Sequence, residues 1–135
     1  MKNTGVTQKA IVFNSVRKFL ALKRSSTAPN RPNTWDLPGG ELDFGEQAKE
    51  GILREIREET GLEAANLKLS DVESHISHGG SFWVTICYTA ETGPDRVKLS
   101  FEHNEYKWVT KEEFLKFESS PRLMRFVGNL VDIRQ

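Results

Sequence analysis

One cysteine in 135 residues means that no disulfide can form within the chain, so stability has to come from packing, for which this length suffices. Charge of one sign is also lacking. Lysine plus arginine and aspartate plus glutamate each number 19, which leaves no global field to attract nucleic acid or an anionic membrane. A polyanion would have to be held locally. No apolar run approaches the roughly 18 residues of a membrane helix, and residues 1–7 lack the charged-then-apolar layout of a secretion signal. A cytoplasmic protein with no membrane and no nucleic-acid partner is the expectation. Repeats, low-complexity tracts and linker-like composition are absent, so residues 1–135 are read as one domain.

What is present alternates short apolar runs with turn formers. Residues 8–14 and 16–23, split by Asn14-Ser15, have the pattern of an antiparallel hairpin. Residues 25–34 are dense in turn formers and carry two prolines, as an exposed loop shaping a substrate mouth would. From Glu46 to Thr60 there is no proline, and Ala48, Ile52, Ile56 and Thr60 recur at helical spacing before Gly61, a natural helix stop. Residues 67–78 and 81–91 read as two long strands joined at Gly79-Gly80, and residues 105–109 as another. Thr110 and Glu113 form a capping box that opens a helix through Phe117, and Pro121 suits the first turn of a last helix ending near Gly128. The class implied is α/β, a mixed sheet with helices on its faces.

The chemistry concentrates in residues 35–62. On a helix Glu55, Glu58 and Glu59 share one face, because i, i+3 and i+4 are surface neighbours. A bare Glu-x-x-Glu-Glu reads as a solvated acidic surface, but here it is preceded by a glycine-rich turn. Like charges so spaced repel, and a hard divalent cation removes the conflict while bridging to phosphate oxygens. Gly39 and Gly40 allow the backbone to approach a ligand closely, with Leu37 and Pro38 setting the entry. Arg54 lies four residues from Glu50 and Glu58, placed to orient a carboxylate without binding metal itself. Gly51, costly inside a helix, is explained if a loop packs closely there.

Gly40, Glu46, Arg54, Glu55, Ile56, Glu58, Glu59, Gly61 and Leu62 fill all nine positions of the pattern Gly-x5-Glu-x7-Arg-Glu-U-x-Glu-Glu-x-Gly-U, with U a bulky aliphatic residue. The chain thereby resembles the Nudix hydrolase superfamily; a chance match has a probability on the order of one in a billion. The resemblance implies a Nudix-type α/β/α sandwich and hydrolysis of a nucleoside diphosphate linked to another group X. It implies Mg2+ as cofactor, with Mn2+ a substitute, and Glu55, Glu58 and Glu59 as metal ligands. Glu55 is also implied as a candidate base, Glu46 as a support, and the Gly39 or Gly40 carbonyl as a further ligand. Glu102, or failing it Glu105, is the expected late ligand.

No protein nucleophile is required when a metal activates water, and none is evident. Cys87 lies in the apolar run Phe82–Tyr88 and reads as a buried thiol, while Ser25 and Ser26 lack a base partner. Arg24 is a candidate phosphate clamp. Trp35, Phe44, Phe82 and Trp83 are the aromatics available for stacking on a base. His75, His78 and His103 lack regular ligand spacing, and His78, beside Gly79-Gly80, is the most exposed candidate for contacting substrate. The substrate expected first is a nucleoside triphosphate, including an oxidised one. Dinucleoside polyphosphates and ADP-sugars follow, and a non-catalytic nucleotide-binding module is the alternative of another class. The molecule is expected as a monomer or homodimer.

Overall fold

Strand alternation and helix periodicity resolve into a layered structure, seen in a computed structural model that describes residues 3–93 and 96–131. Ten elements follow in chain order: β1 Thr4–Phe13, β2 Phe19–Arg24, β3 Trp35–Asp36, β4 Gly39–Glu41, α1 Ala48–Thr60, β5 Ala64–Ile76, β6 Phe82–Thr92, β7 His103–Val109, α2 Lys111–Phe114 and α3 Pro121–Gly128. The strands make one sheet with a spine β3-β2-β1-β6-β5, on which β4 pairs with β1 and β7 with β2. Among the described residues β1–β6 is the one parallel pairing of two strands, in register from Thr4 opposite Phe82 to Phe13 opposite Glu91, and an isolated parallel bridge joins Trp35 to Ser119. The sheet is therefore mixed, as the sequence implied.

The central strands are apolar on both sides because both faces are covered. Ala10, Val12, Leu20, Leu22 and Tyr88 pack with Ile52 and Ile56 of α1. Ile11, Phe19, Ala21 and Cys87 pack with Phe114 of α2 and with Leu123, Phe126 and Val127 of α3. Successive residues of β1 and β2 thus feed opposite layers, and the result is an α/β/α sandwich. Cys87 is buried as expected, and burial pushes its thiol up to about 12.

Several boundaries differ from the sequence reading for physical reasons. β1 begins at Thr4, since its pairing with β6 continues beyond the apolar run. The first hairpin turns over residues 14–18, where Asn14 Oδ1 accepts from the Val16 and Lys18 amides and Arg17 adopts φ 62°. Helix α1 starts at Ala48, not Glu46, because the Glu46 side chain is drawn into the loop before it, accepting from the Asp43 amide. The Thr110–Glu113 capping box forms, yet α2 ends at Phe114. A tighter turn follows, which lets Phe114 enter the core and Phe117 stack on Trp35 at 4.5 Å. β7 begins at His103, carried there by pairing with Arg24 past an irregularity in β2.

Candidate active site

The glycine turn is built by sterics. At Gly39, with φ 149°, a Cβ would lie 1.9 Å from the Gln8 carbonyl oxygen, so no other residue fits. The turn is pinned to β1 by the Ala10 amide donating to the Pro38 carbonyl at 2.9 Å. Its other side meets α1. The Gly39 amide donates to Glu59 Oε1 at 3.0 Å. A Cβ on Gly40 would stand 2.5 Å from Glu55 Oε2, so the missing side chain makes room for that carboxylate. Gly51 serves the same end from inside the helix: a Cβ there would meet Leu42 and Glu46 at 2.8 and 3.0 Å. The close packing expected of the loop is what its glycine permits.

The acidic face does not act as one patch. Glu59 is buried, and burial pushes its carboxyl up to about 8, with Lys9 and the Gly39 amide pulling the other way. Glu55 is half-buried and also raised, by burial first and then by Glu58 and Glu102, against Arg54. Glu58 lies outside the cleft on Arg54, Nη1 to Oε1 3.0 Å. Arg54 grips Glu46 with two bonds of 2.7 and 3.0 Å and approaches Glu55 at 3.2 Å and Asp43 at 3.5 Å. Its acidic partners come from the preceding loop and the helix; Glu50, counted from spacing, is not one of them. Arg54 thus ties the loop to α1.

These groups open on a cleft of about 700 Å3 lined by Glu55, Glu59, Glu102, Gly39 and Gly40, together with Lys9, Arg24, Asp36 and His103. Glu102 is placed at it, whereas Glu105 pairs with Lys23 at 4.0 Å on the neighbouring strand. Arg24 lines it too, but its guanidinium is shared between Asp36 Oδ2 at 3.3 Å and the Asn30 carbonyl at 2.8 Å. Trp35 is at the cleft and is buried; Phe44 is fully exposed, and neither Phe82 nor Trp83 contributes to the lining. A separate hollow of about 480 Å3 at Tyr106, Trp108 and Phe117 carries one carboxylate, Glu113, already used to cap α2.

Spacing did not reveal the buried hub of the site. Asp36 accepts from Lys9 Nζ at 2.9 Å and the Leu37 amide at 2.8 Å on one oxygen; Arg24 and His103 Nε2 stand 3.3 Å from the other. Burial alone would raise Asp36, but the charge of Lys9 and the bonds from His103 and Lys9 outweigh it, holding the carboxyl well below the usual range. Lys9 is in turn raised, since Asp36 and Glu59 overcome its burial. His78 is exposed, as expected, but lies outside the cleft lining, while the buried His103 is within it. The signals available were a lysine inside an apolar strand and an aspartate directly before Leu-Pro-Gly-Gly; both need an unseen partner to be read.

The donor set fits a hard divalent cation. Its members are carboxylate and carbonyl oxygens, and two of the carboxylates are raised by crowding and burial that a cation would reverse. Among the described residues no three carboxylate, imidazole or thiol groups stand ready around one point. Mutual repulsion and the pull of Arg54 on Glu58 account for that spread. No helix among the described residues is long and apolar enough to cross a membrane.

Comparison with known proteins agrees with this geometry. The bis(5'-nucleosyl)-tetraphosphatase (asymmetrical) of Mus musculus is 32% identical over 114 residues, 74% of this chain and 69% of that protein. A nucleoside triphosphatase NudI of Escherichia coli is 25% identical over 110 residues, 74% of this chain and 78% of its own. The crystal structure of a MutT protein from Methanosarcina mazei Go1 superposes with a TM-score of 0.80 at 31% identity, covering 94% of this chain and 92% of that one. Relatives from Bacillus subtilis and Streptomyces ambofaciens are longer, the matched stretch being 34% and 65% of their lengths. The NUDIX domain model matches residues 4–127, spanning the glycine turn, the acidic helix and every strand of the sheet, and the chain belongs to the NUDIX family.

Proposed function

We propose that this protein hydrolyses the diphosphate linkage of a nucleoside diphosphate linked to X, and that residues 1–135 act as one catalytic unit. The observation that carries this reading is a single cleft that sets Glu55, Glu59 and Glu102 around the Gly39-Gly40 turn, with Lys9 and Arg24 in the same walls. Acids alone would repel a polyphosphate and bases alone would give no means of activating water; together they suit a metal-bridged phosphate. Bound Mg2+, or Mn2+ in its place, would supply charge neutralisation on the phosphate oxygens and a more acidic water. Glu55, Glu58, Glu59, Glu102 and the Gly39 or Gly40 carbonyl are the groups proposed to hold it.

The chain's own residues do the rest. Lys9, fixed by Asp36, and Arg24, fixed by Asp36 and Asn30, present charge to phosphate oxygens from positions that need no reordering on binding. Glu55, raised by burial, is the group proposed to take the proton as the water oxygen bonds to phosphorus and the bridging P–O bond breaks. Arg54 and Glu46 hold the loop and helix in register. Hydrolysis of a nucleoside triphosphate to monophosphate and pyrophosphate is the lead reaction, in line with the name of the Escherichia coli relative. The name of the mouse relative favours a dinucleoside polyphosphate as the second reading.

The test is incubation with Mg2+ and a panel of triphosphates, dinucleoside polyphosphates and nucleotide sugars, with products identified by mass spectrometry. Glu58→Gln and Glu59→Gln should each lower kcat/KM by roughly 10²–10³-fold. Full turnover in both variants, or no product from any compound, would sink the reading.

A further inference from the structure

Strand β5 has one covered face and one bare face. Asp71, Glu73 and His75 turn to the α3 side, where Asn129, Arg125 and Arg122 bond them at 3.3, 2.7 and 2.9 Å. The alternate residues face the other way. Val72 pairs with Ile86, Ser74 with Val84 and Ile76 with Phe82, while Val84 and Phe82 pair in turn with Val6 and Thr4 of β1. This is the α1 side of the sheet, because Ile86 packs against the cluster that holds Ile52 and Ile56. The helix covers only part of it. Ala48, its first residue, accepts from Gln8 at 3.0 Å, and Ile52 and Ile56 pack with Ala10 and Val12, away from Thr4. On the other side of Gln8 the sheet is left open: Val72 is 58%, Ile76 70% and Phe82 39% exposed, and Leu69, farther along the same edge, is 74% exposed.

Area and charge together say what covers this strip. Leu69, Val72, Ile76 and Phe82 alone leave on the order of 450 Å2 of apolar surface, inside the range in which a patch marks an interface. With Thr4, Val6, Ser74 and Val84 beside them, the strip approaches the about 800 Å2 that each partner gives to a stable complex. Between Leu69 and Ile76 both carboxylates of β5, Asp71 and Glu73, turn to the α3 side, so the strip itself is uncharged. A lipid-binding face sets lysine and arginine beside its apolar residues, and a partner recognised by charge needs charge to meet. Another neutral apolar surface is what fits, and a copy of this chain, with a net charge of zero, presents one without repulsion. We propose that the chain forms a two-fold homodimer in which this strip of β5 and β6 packs on the same strip of a second copy, sheet on sheet about 10 Å apart. A two-fold axis near Val72 and Ser74 reverses β5 against its copy, so that Ile76 of one protomer meets Leu69 of its partner and the small Ser74 leaves room for Val72. The strip and the cleft lining share no residue, so the inference is independent of the hydrolase reading.

Analytical ultracentrifugation of the full chain from about 1 to about 100 μM tests this, since that span brackets a micromolar dissociation constant. The mass should rise reversibly with concentration from one chain to two and stop there, as a closed two-fold contact requires. Ile76→Asp and Val72→Lys each place a charge at the centre of the contact and should weaken the dimer about tenfold or more. Both sites are exposed in the single chain, so the fold should survive, and far-UV circular dichroism checks it; should one variant unfold, the other decides. Val16→Asp is the control, because Val16 is 69% exposed but lies in the first hairpin turn, and it should dimerise as the unsubstituted chain does. A single-chain mass throughout the range, growth beyond two copies, or a dimer that folded Ile76→Asp and Val72→Lys leave unchanged overturns the proposal. A single-chain mass together with flotation on phosphatidylcholine vesicles overturns it in favour of a lipid surface.

Discussion

A single carboxylate, Asp36, organises three strands. Lys9 on β1, Arg24 on β2 and His103 on β7 all reach it, and each is buried or half-buried where an unpaired charge would be costly. Removing one partner of such a network leaves the others uncompensated. Asp36→Asn should therefore cost about 3 kcal/mol at neutral pH, measured by urea unfolding. The pH dependence has a definite sign. Because the folded carboxyl sits below its unfolded value near 4, its contribution is present above that pH and is lost as pH falls through the folded value. The gap between the unsubstituted protein and Asp36→Asn should narrow by on the order of 2 kcal/mol as pH drops from about 5 toward 2. A gap constant across that range would contradict the charge network.

Among the elements, the glycine turn and α1 depend on each other. Gly40 lets β4 approach Glu55 of α1, Gly51 lets the loop after β4 pack on the helix at Leu42 and Glu46, and Gly39 lets the turn lie against the β1 backbone. Gly39→Ala would force a Cβ against backbone, not against a side chain that can swing away, and at a φ of 149°. It should destabilise the fold by about 3 kcal/mol or more and displace the amide that bonds Glu59. The readouts are a lower urea midpoint and weaker Mg2+ binding by calorimetry; unchanged values in both would show that the turn has slack. Gly45 and Gly79 have nothing within 4 Å of a would-be Cβ, and Gly79→Ala serves as the control.

For the molecule as a whole, cation binding and folding should be coupled. Metal-free, the folded state confines Glu55 and Glu59 with no compensating divalent charge, so an ion that binds only the folded state stabilises it by mass action. At a hundred times its Kd, Mg2+ should add about 2.7 kcal/mol, seen as a rise in Tm that EDTA reverses. Glu59→Gln should abolish most of that rise. A Tm indifferent to millimolar Mg2+ and to EDTA would argue against the acidic cleft as a cation site. The two-sided core explains how such a site is tolerated: α1 packs through Ile52 and Ile56 on one face, α3 through Phe126 and Val127 on the other.

The sequence by itself determined what is local. Helical spacing of Ile52, Ile56 and Thr60 marked α1, two glycines marked the turn, Thr110 and Glu113 marked a cap, and nine residues within 23 positions marked the family. Periodicity and spacing carry such information because the residues involved are neighbours along the chain. Tertiary structure alone decided which of three adjacent glutamates is buried, that Arg54 binds Glu46 and not Glu50, and that Lys9, Asp36 and His103 meet. Those choices depend on β1 lying between β2 and β6 and on β7 pairing with β2, contacts between residues tens of positions apart. Side-chain type limits what each group can do, but only the closed sheet sets which charges share a low-dielectric space.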